Sequence, residues 1–192
     1  TFKPFTIAAA IEEGKIVATQ AFMCDGYELI GNRRVKCHKT SGHGTVDISQ
    51  SIAYSCNDAL MQIGAYLGTD LFATYQKRFN FGIKTGIDLP GEASCANLLY
   101  TAENMTPIDL ATNSFGQCFN VTMVQLAAGF CSIINGGDYY QPHVVKEILN
   151  TQGGVEKEIG ATVRKKTVTE ETSKMVRDGL VLCVDGGTGT QA

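Results

Sequence analysis

The stretch Gly42-His43-Gly44-Thr45-Val46-Asp47-Ile48-Ser49-Gln50-Ser51-Ile52-Ala53-Tyr54-Ser55-Cys56-Asn57 carries the first interpretable pattern in the chain. From Ser49 onward, Ile52, Ala53, Cys56, Ala59, Leu60, Ile63 and Leu67 recur at three-and-four spacing, which predicts a helix over 49–67. Ser55-Cys56-Asn57 falls on the edge of that helix. A serine hydroxyl there is placed to relay a proton, and an asparagine amide two residues on is placed to hold a substrate carbonyl. A Ser-x-Asn triplet is short, so its meaning depends on what surrounds it.

Upstream, the chain opens Thr1-Phe2-Lys3-Pro4-Phe5 and continues through alanines. Residues 4–13 read as a helix, with Pro4 tolerated in the first turn and Gly14 closing the end. Lys3 has the lysine position of a Ser-x-x-Lys pattern, in which hydroxyl and amine share one face a turn apart. The serine position then falls immediately before Thr1. A lysine in that setting serves as a base once burial and neighbours lower its pKa.

Residues 15–45 lack helical periodicity and are rich in glycine, so they read as loop with short extended pieces. This loop carries Cys24 and Cys37, with His38 and His43 close by and Asp25 as an oxygen donor. Thiolates and imidazoles in this combination suit a tetrahedral zinc ion. A Cys24–Cys37 disulfide and free thiols are equally compatible with the spacing. Seven cysteines cannot all pair within one chain, and Cys56, Cys118, Cys131 and Cys183, set in apolar segments, read as small buried hydrophobes.

Downstream, residues 69–79 predict another helix capped by Thr69 or Asp70, and residues 81–92 are turn-rich. Thr106-Pro107 reads as an N-cap followed by proline at the first helical position. Residues 122–135 form an amphipathic pattern closed by Gly136-Gly137. Residues 139–149 read as a strand that includes His143, and Gly153-Gly154 as the turn into a second strand over 155–159. Residues 169–184 predict a last helix.

The bulk properties narrow the function. The 192 residues are 44% hydrophobic and 18% charged, as in a folded domain. A net charge of −3 leaves no basic footprint for nucleic acid, and the short basic runs 32–36 and 164–166 read as solvated faces. No stretch approaches the run of about 20 apolar residues that spans a bilayer.

Taken together, these words resemble one family. Thr1-Phe2-Lys3-Pro4-Phe5 before an alanine-rich helix resembles the Ser-x-x-Lys helix of class B penicillin-binding proteins, and Gly42-His43-Gly44 ahead of Ser55-Cys56-Asn57 resembles their Ser-x-Asn segment. Phe81-Gly82 with Lys84-Thr85-Gly86-Ile87-Asp88-Leu89-Pro90-Gly91-Glu92 is similar to a further signature. So are Phe115-Gly116-Gln117 with Asn120-Val121-Thr122, Asn135-Gly136-Gly137, Gln141-Pro142 and Gly187-Thr188-Gly189-Thr190. Two strings mislead. Lys84-Thr85-Gly86 copies the family's third catalytic motif in a context that belongs elsewhere, and Gly187–Thr190 lacks its lysine. One residue departs: Cys118 stands where the family commonly has glycine.

The resemblance implies an α+β fold, the mainly helical part of the penicillin-binding transpeptidase and serine β-lactamase-like domain. It also implies that residues 1–192 begin just after the catalytic serine and end before the Lys-Thr-Gly motif. The implied activity is peptidoglycan cross-linking by serine acyl transfer on D-Ala–D-Ala stem peptides, blocked by β-lactams. Lys3, Ser55 and Asn57 would be the catalytic residues present. No cofactor is implied for catalysis, and a structural zinc at Cys24, Cys37, His43 and His38 is a separate expectation. Implied partners are stem peptides, β-lactams and cell-wall synthesis proteins in the membrane. The implied place is the extracytoplasmic face of the bacterial cell membrane, with an anchor ahead of Thr1. Two rivals are a β-lactamase or β-lactam sensor of the same fold, and a non-catalytic zinc-stabilised interaction module.

Overall fold

A computed structural model describes residues 2–191. Thr1, which opens the first of the family-like words, and Ala192 lie outside the described residues. Helix α1 (Lys3–Glu12) is followed by strands β1 (Phe22–Cys24), β2 (Tyr27–Ile30), β3 (Arg33–Lys36) and β4 (Gly44–Val46). Helices α2 (Ile48–Ala53), α3 (Asn57–Arg78), α4 (Pro107–Ser114) and α5 (Met123–Ile134) come next. Strands β5 (Asp138–Tyr140), β6 (Glu147–Leu149), β7 (Val155–Glu158) and β8 (Val163–Lys166) precede the last helix, α6 (Glu170–Gly186).

α1 is the centre of the molecule. Every residue from Lys3 to Ala10 is buried, and α2, α3, α5 and α6 all pack on it. A helix that is apolar on every side has no solvent face to present, so it must be enclosed. Its alanines let the neighbours come close, and its aromatics fill what remains. The Phe5 ring lies 5.1 Å from Phe79 and 4.9 Å from Phe81, while Phe2 packs edge-on against Phe119 at 4.6 Å. Such pairs add about 0.5–1.5 kcal/mol each beyond the area they bury.

The helix expected over 49–67 is two helices. α2 begins at an Asp47 capping box, in which Asp47 Oδ1 accepts from Gln50 N at 2.7 Å and Gln50 Oε1 accepts from Asp47 N at 3.0 Å. It ends at Tyr54. Ser55 then takes a left-handed backbone, φ +53°, and Cys56 caps α3 by accepting from Ala59 N at 3.4 Å. The apolar spacing runs across this break unchanged, because about one turn is lost and the same faces re-emerge on the core side. α3 is itself kinked at Gly68 (φ 79°, ψ 165°), so the separate helix expected from residue 69 stands as its second half.

The strand expected over 139–149 also divides. β5 pairs with β8, while β6 pairs with β7 across the Gly153 turn. Between them runs Gln141-Pro142-His143, and proline supplies no N–H to a ladder. His143 is therefore off the strand, exposed, with Nδ1 3.0 Å from the Val145 carbonyl. The basic run 164–166 becomes β8, where Lys166 pairs with Asp138 at 3.1 Å. Residues 15–45 form two antiparallel pairs, β1 with β4 and β2 with β3. The α+β class holds, with the strands gathered in two-stranded sheets. No helix among the described residues is long and apolar enough to cross a membrane.

Lys84-Thr85-Gly86 closes a turn. Thr85 Oγ1 donates to Glu92 Oε1 at 2.6 Å and Gly86 N to Glu92 Oε2 at 3.0 Å. Asp88 then accepts from the amides of Val144 and Val145, both at 2.8 Å. These polar residues latch the 84–92 loop to the segment after β5.

The cysteines need a correction. Of the four read as buried, only Cys56 is; Cys118 and Cys131 are exposed and Cys183 is half-exposed. Cys131 sits in an apolar helical segment but on its outward face, Cys183 packs at the edge of the core, and Cys118 lies in a turn. That turn holds Cys118 at φ +68°, a conformation that costs an L-residue about 1–2 kcal/mol and a glycine almost nothing. Allowing for glycine's greater freedom when unfolded, Cys118→Gly should stabilise the protein by roughly 0.5–1 kcal/mol. A thermal melt of the full-length protein should move up by about 2–3 °C; a lower melting temperature would show that the Cys118 side chain makes compensating contacts.

Candidate active site

The first turn of α1 carries Lys3 into the interior, where only 8% of the residue is exposed. Its Nζ donates to Ser55 Oγ at 2.7 Å and also to the Ser55 carbonyl. Burial lowers its pKa to about 8, against an opposing pull from the Cys37 and Cys56 sulfurs. The left-handed Ser55 makes the contact: the break between α2 and α3 turns both its hydroxyl and its carbonyl toward α1. Asn57 follows as the first residue of α3 and is half-buried. Ser55 and Lys3 thus meet across 52 residues of chain, with Asn57 two residues on at the start of α3.

The residue between Ser55 and Asn57 points elsewhere. Cys56 is fully buried, and its sulfur joins those of Cys24 and Cys37 and a ring nitrogen of His43, all four atoms within 4.8 Å of one another. His43 Nδ1 lies 3.4 Å from Cys24 Sγ and 3.7 Å from Cys37 Sγ. The seven cysteines are free thiols, so Cys24 and Cys37 are not joined by a disulfide. His38 lies beside this group, with Nδ1 3.9 Å from Cys37 Sγ and its ring 5.1 Å from that of His43. The Tyr54 ring stacks on His43 at 5.9 Å. Asp25 falls outside the group as well.

The loop that delivers these side chains depends on two close approaches. A Cβ on Gly26 would stand 2.2 Å from the Thr40 carbonyl oxygen, and one on Gly42 would stand 2.3 Å from that of Cys24. Both positions also have positive φ, so no other residue fits. Asp58, wholly buried on α3, accepts from Gly26 N at 3.3 Å and from Gln62 Nε2 at 2.8 Å.

Electrostatics separate the thiols. Burial pushes the Cys56 and Cys24 thiols above the ordinary thiol range. Burial also opposes ionisation of Cys37, but the N–H groups of Asp58, Lys39 and Asn57 outweigh it and hold that thiol below its usual value. His43 is lowered by burial and by its cationic neighbours, which favours the neutral imidazole that ligates metals.

Of the residues singled out in the sequence, Lys3 and Ser55 touch, and Cys24, Cys37 and His43 converge. Cys56 was not foreseen as part of that group. Its only sequence signal was its place as the middle residue of the Ser-x-Asn triplet.

Comparison with known proteins identifies the family. The model for the penicillin binding protein transpeptidase domain matches residues 1–192. The chain is 37% identical over its whole length to stage V sporulation protein D of Bacillus subtilis, of which it covers 30%. It is 28% identical over 158 residues to the peptidoglycan D,D-transpeptidase MrdA of Haemophilus influenzae, covering 77% of this chain and 24% of that protein. Among solved structures, the D,D-transpeptidase domain of a peptidoglycan glycosyltransferase from Eggerthella lenta superposes with a TM-score of 0.88 at 26% identity, over 99% of this chain and 49% of the other. The chain therefore spans about a third or less of these two curated relatives, and it belongs to the penicillin-binding protein transpeptidase domain family.

Proposed function

We propose that the full-length protein is a serine D,D-transpeptidase that cross-links peptidoglycan, and that residues 1–192 are the part of its transpeptidase domain between the catalytic serine and the Lys-Thr-Gly strand. The observation that carries this reading is the buried Lys3 amine, 2.7 Å from Ser55 Oγ, with a pKa drawn down to about 8. A buried lysine bonded to a second hydroxyl is what a serine nucleophile on the preceding helical turn requires.

In this reading, the serine immediately before Thr1 gives its proton to neutral Lys3 and attacks the carbonyl of the D-Ala–D-Ala bond. Main-chain N–H groups, one from the serine itself, stabilise the oxyanion. Ser55 passes the proton to the departing D-Ala amine, and Asn57 holds the donor peptide's amide. An amine on a neighbouring strand then attacks the acyl-enzyme, forms the new amide and returns the serine. β-Lactams stop the cycle at the acyl-enzyme. Such a protein works on the extracytoplasmic face of the bacterial membrane, anchored there and beside other cell-wall synthesis proteins.

The pH dependence follows from Lys3. Below about pH 8 the amine is protonated and cannot accept the serine proton. Acylation of the full-length protein by a penicillin should therefore slow about tenfold for each pH unit below that value. Lys3→Arg, charged at every accessible pH, should abolish it. Intact-mass spectrometry, beside a mutant with alanine before Thr1, reads both results. An adduct that survives the loss of that serine would overturn the assignment.

The cysteine–histidine group supports a structural zinc ion in addition, held by Cys24, Cys37, Cys56 and His43. Zinc–sulfur bonds of about 2.3 Å and zinc–nitrogen bonds of about 2.0 Å put tetrahedral S···N edges near 3.5 Å, close to the observed 3.4 and 3.7 Å. The ion would supply a cross-link between the loop and the start of α3, and take no part in the acyl transfer. Elemental analysis of the purified full-length protein should find one zinc per chain, and a chelator should lower its melting temperature. Cys56→Ser should lose the metal. Metal-free protein whose melting is unmoved by chelator would rule the ion out.

A further inference from the structure

The break between α2 and α3 takes a carbonyl away from its helical partner. In a continuous helix the Ala53 carbonyl would accept from the N–H of Asn57, four residues on. The left-handed backbone of Ser55 (φ +53°) ends that ladder. Ala53 is buried, with 1% of the residue exposed, and a buried carbonyl needs a donor. Two donors reach it from a residue 135 positions further along the chain. They are Thr188 N at 2.8 Å and Thr188 Oγ1 at 3.1 Å.

The turn that brings Thr188 there is built for close approach. It closes α6, with Gly187 N and Gly189 N both donating to the Cys183 carbonyl, at 3.1 and 3.0 Å. A Cβ on Gly187 would overlap the Ala53 carbonyl oxygen, so a side chain there would push the turn off α2. The two helices lie against each other all along: a Cβ on Gly179 would stand 2.7 Å from Ile52 Cδ1. With the Thr188 hydroxyl proton on Ala53, the Cys183 thiol, 3.6 Å away, is the donor to Thr188 Oγ1. Thr188 itself is exposed, so these bonds hold it in place and burial does not.

The competing structure is the uninterrupted helix that the apolar spacing from Ser49 to Leu67 favours. That helix would recover the bond from Asn57 N to the Ala53 carbonyl. It would also return Ser55 to a right-handed conformation and its carbonyl to the ladder, away from Lys3. A donor already seated on the Ala53 carbonyl withholds the bond on which that alternative depends.

We propose that Thr188 is a positioning residue for acyl transfer: by occupying the Ala53 carbonyl it keeps the turn at Ser55 open and the Ser55 hydroxyl on the Lys3 amine. This rests on the acyl-transfer reading above. It gives Gly187-Thr188-Gly189-Thr190 a role of its own, as the tie between the Ser-x-Asn turn and the end of α6.

The test is the acylation of the full-length protein by a fluorescent penicillin. The concentration dependence separates the binding constant from the acylation rate. Thr188→Val keeps the shape and the N–H and loses the hydroxyl, while Thr188→Ser keeps both donors. Gly187→Val displaces both donors at once. Loss of one positioning hydrogen bond should slow acylation about fivefold in Thr188→Val, with the binding constant within about twofold. Thr188→Ser should stay within about twofold of the wild-type rate, and Gly187→Val should fall further than Thr188→Val. A thermal melt shows that each variant is folded at the assay temperature. Acylation of Thr188→Val at the wild-type rate overturns the proposal. So does Thr188→Ser as slow as Thr188→Val, or a weaker binding constant at an unchanged acylation rate. Should Gly187→Val be unfolded, the Thr188 pair alone decides. Absence of any adduct on the wild-type protein is a different result: the acyl-transfer reading itself fails, and the role of Thr188 in it fails as a consequence.

Discussion

An ammonium group inside a protein is costly unless it is paired or neutralised, and Lys3 is carried into the interior by a helix that no neighbour leaves exposed. Both remedies are present. Burial lowers the amine's pKa to about 8, and the Ser55 hydroxyl and carbonyl receive its protons. The second remedy constrains everything around it. Oxygen atoms must be brought to α1 from a segment 52 residues away, and they must point inward. A continuous helix through Ser55 would have kept that carbonyl in its own hydrogen-bond ladder. The left-handed Ser55 removes it from the ladder, ends α2 and forces α3 to begin anew at Asn57.

That restart decides where Cys56 goes. As the cap of α3 it is turned into the loop, beside Cys24, Cys37 and His43, while the neighbouring Ser55 hydrogen-bonds Lys3. Adjacent residues thus reach two different groups of side chains. The loop itself has little to hold it: two pairs of strands three or four residues long are marginal in isolation. It is tied instead by the close approaches at Gly26 and Gly42, by Asp58 beneath them, and by the convergence of three thiols and an imidazole. Its coupling to the Ser-x-Asn turn is direct, since Cys56 belongs to both.

Much of the local structure was legible in the residues. Thr106, read as an N-cap, accepts the Asp109 amide, and α4 begins behind it; α5 and α6 lie in the segments read as helical. The turn at Gly153 joins β6 to β7 as expected. Cys118, standing where the family commonly has glycine, is indeed in a glycine-like conformation. These features depend on a few neighbouring residues, so short-range patterns report them.

By itself, then, the sequence determined most of the helical segments, the Thr106 cap, the hairpin turn, the family and the residue types around the candidate site. Only the tertiary structure decided that 49–67 breaks at Ser55, that 139–149 belongs to two different sheets, that Cys118 and Cys131 are exposed and Cys183 half-exposed, and that Cys56 takes the place beside Cys24, Cys37 and His43 for which His38 had seemed suited. The reason is the same in each case. Periodicity records which residues share a face of an element; it does not record what that face meets. Whether a cysteine meets solvent, a leucine or another thiol depends on chain that is tens of residues away, and that is known only once the burial of α1 has drawn those segments together.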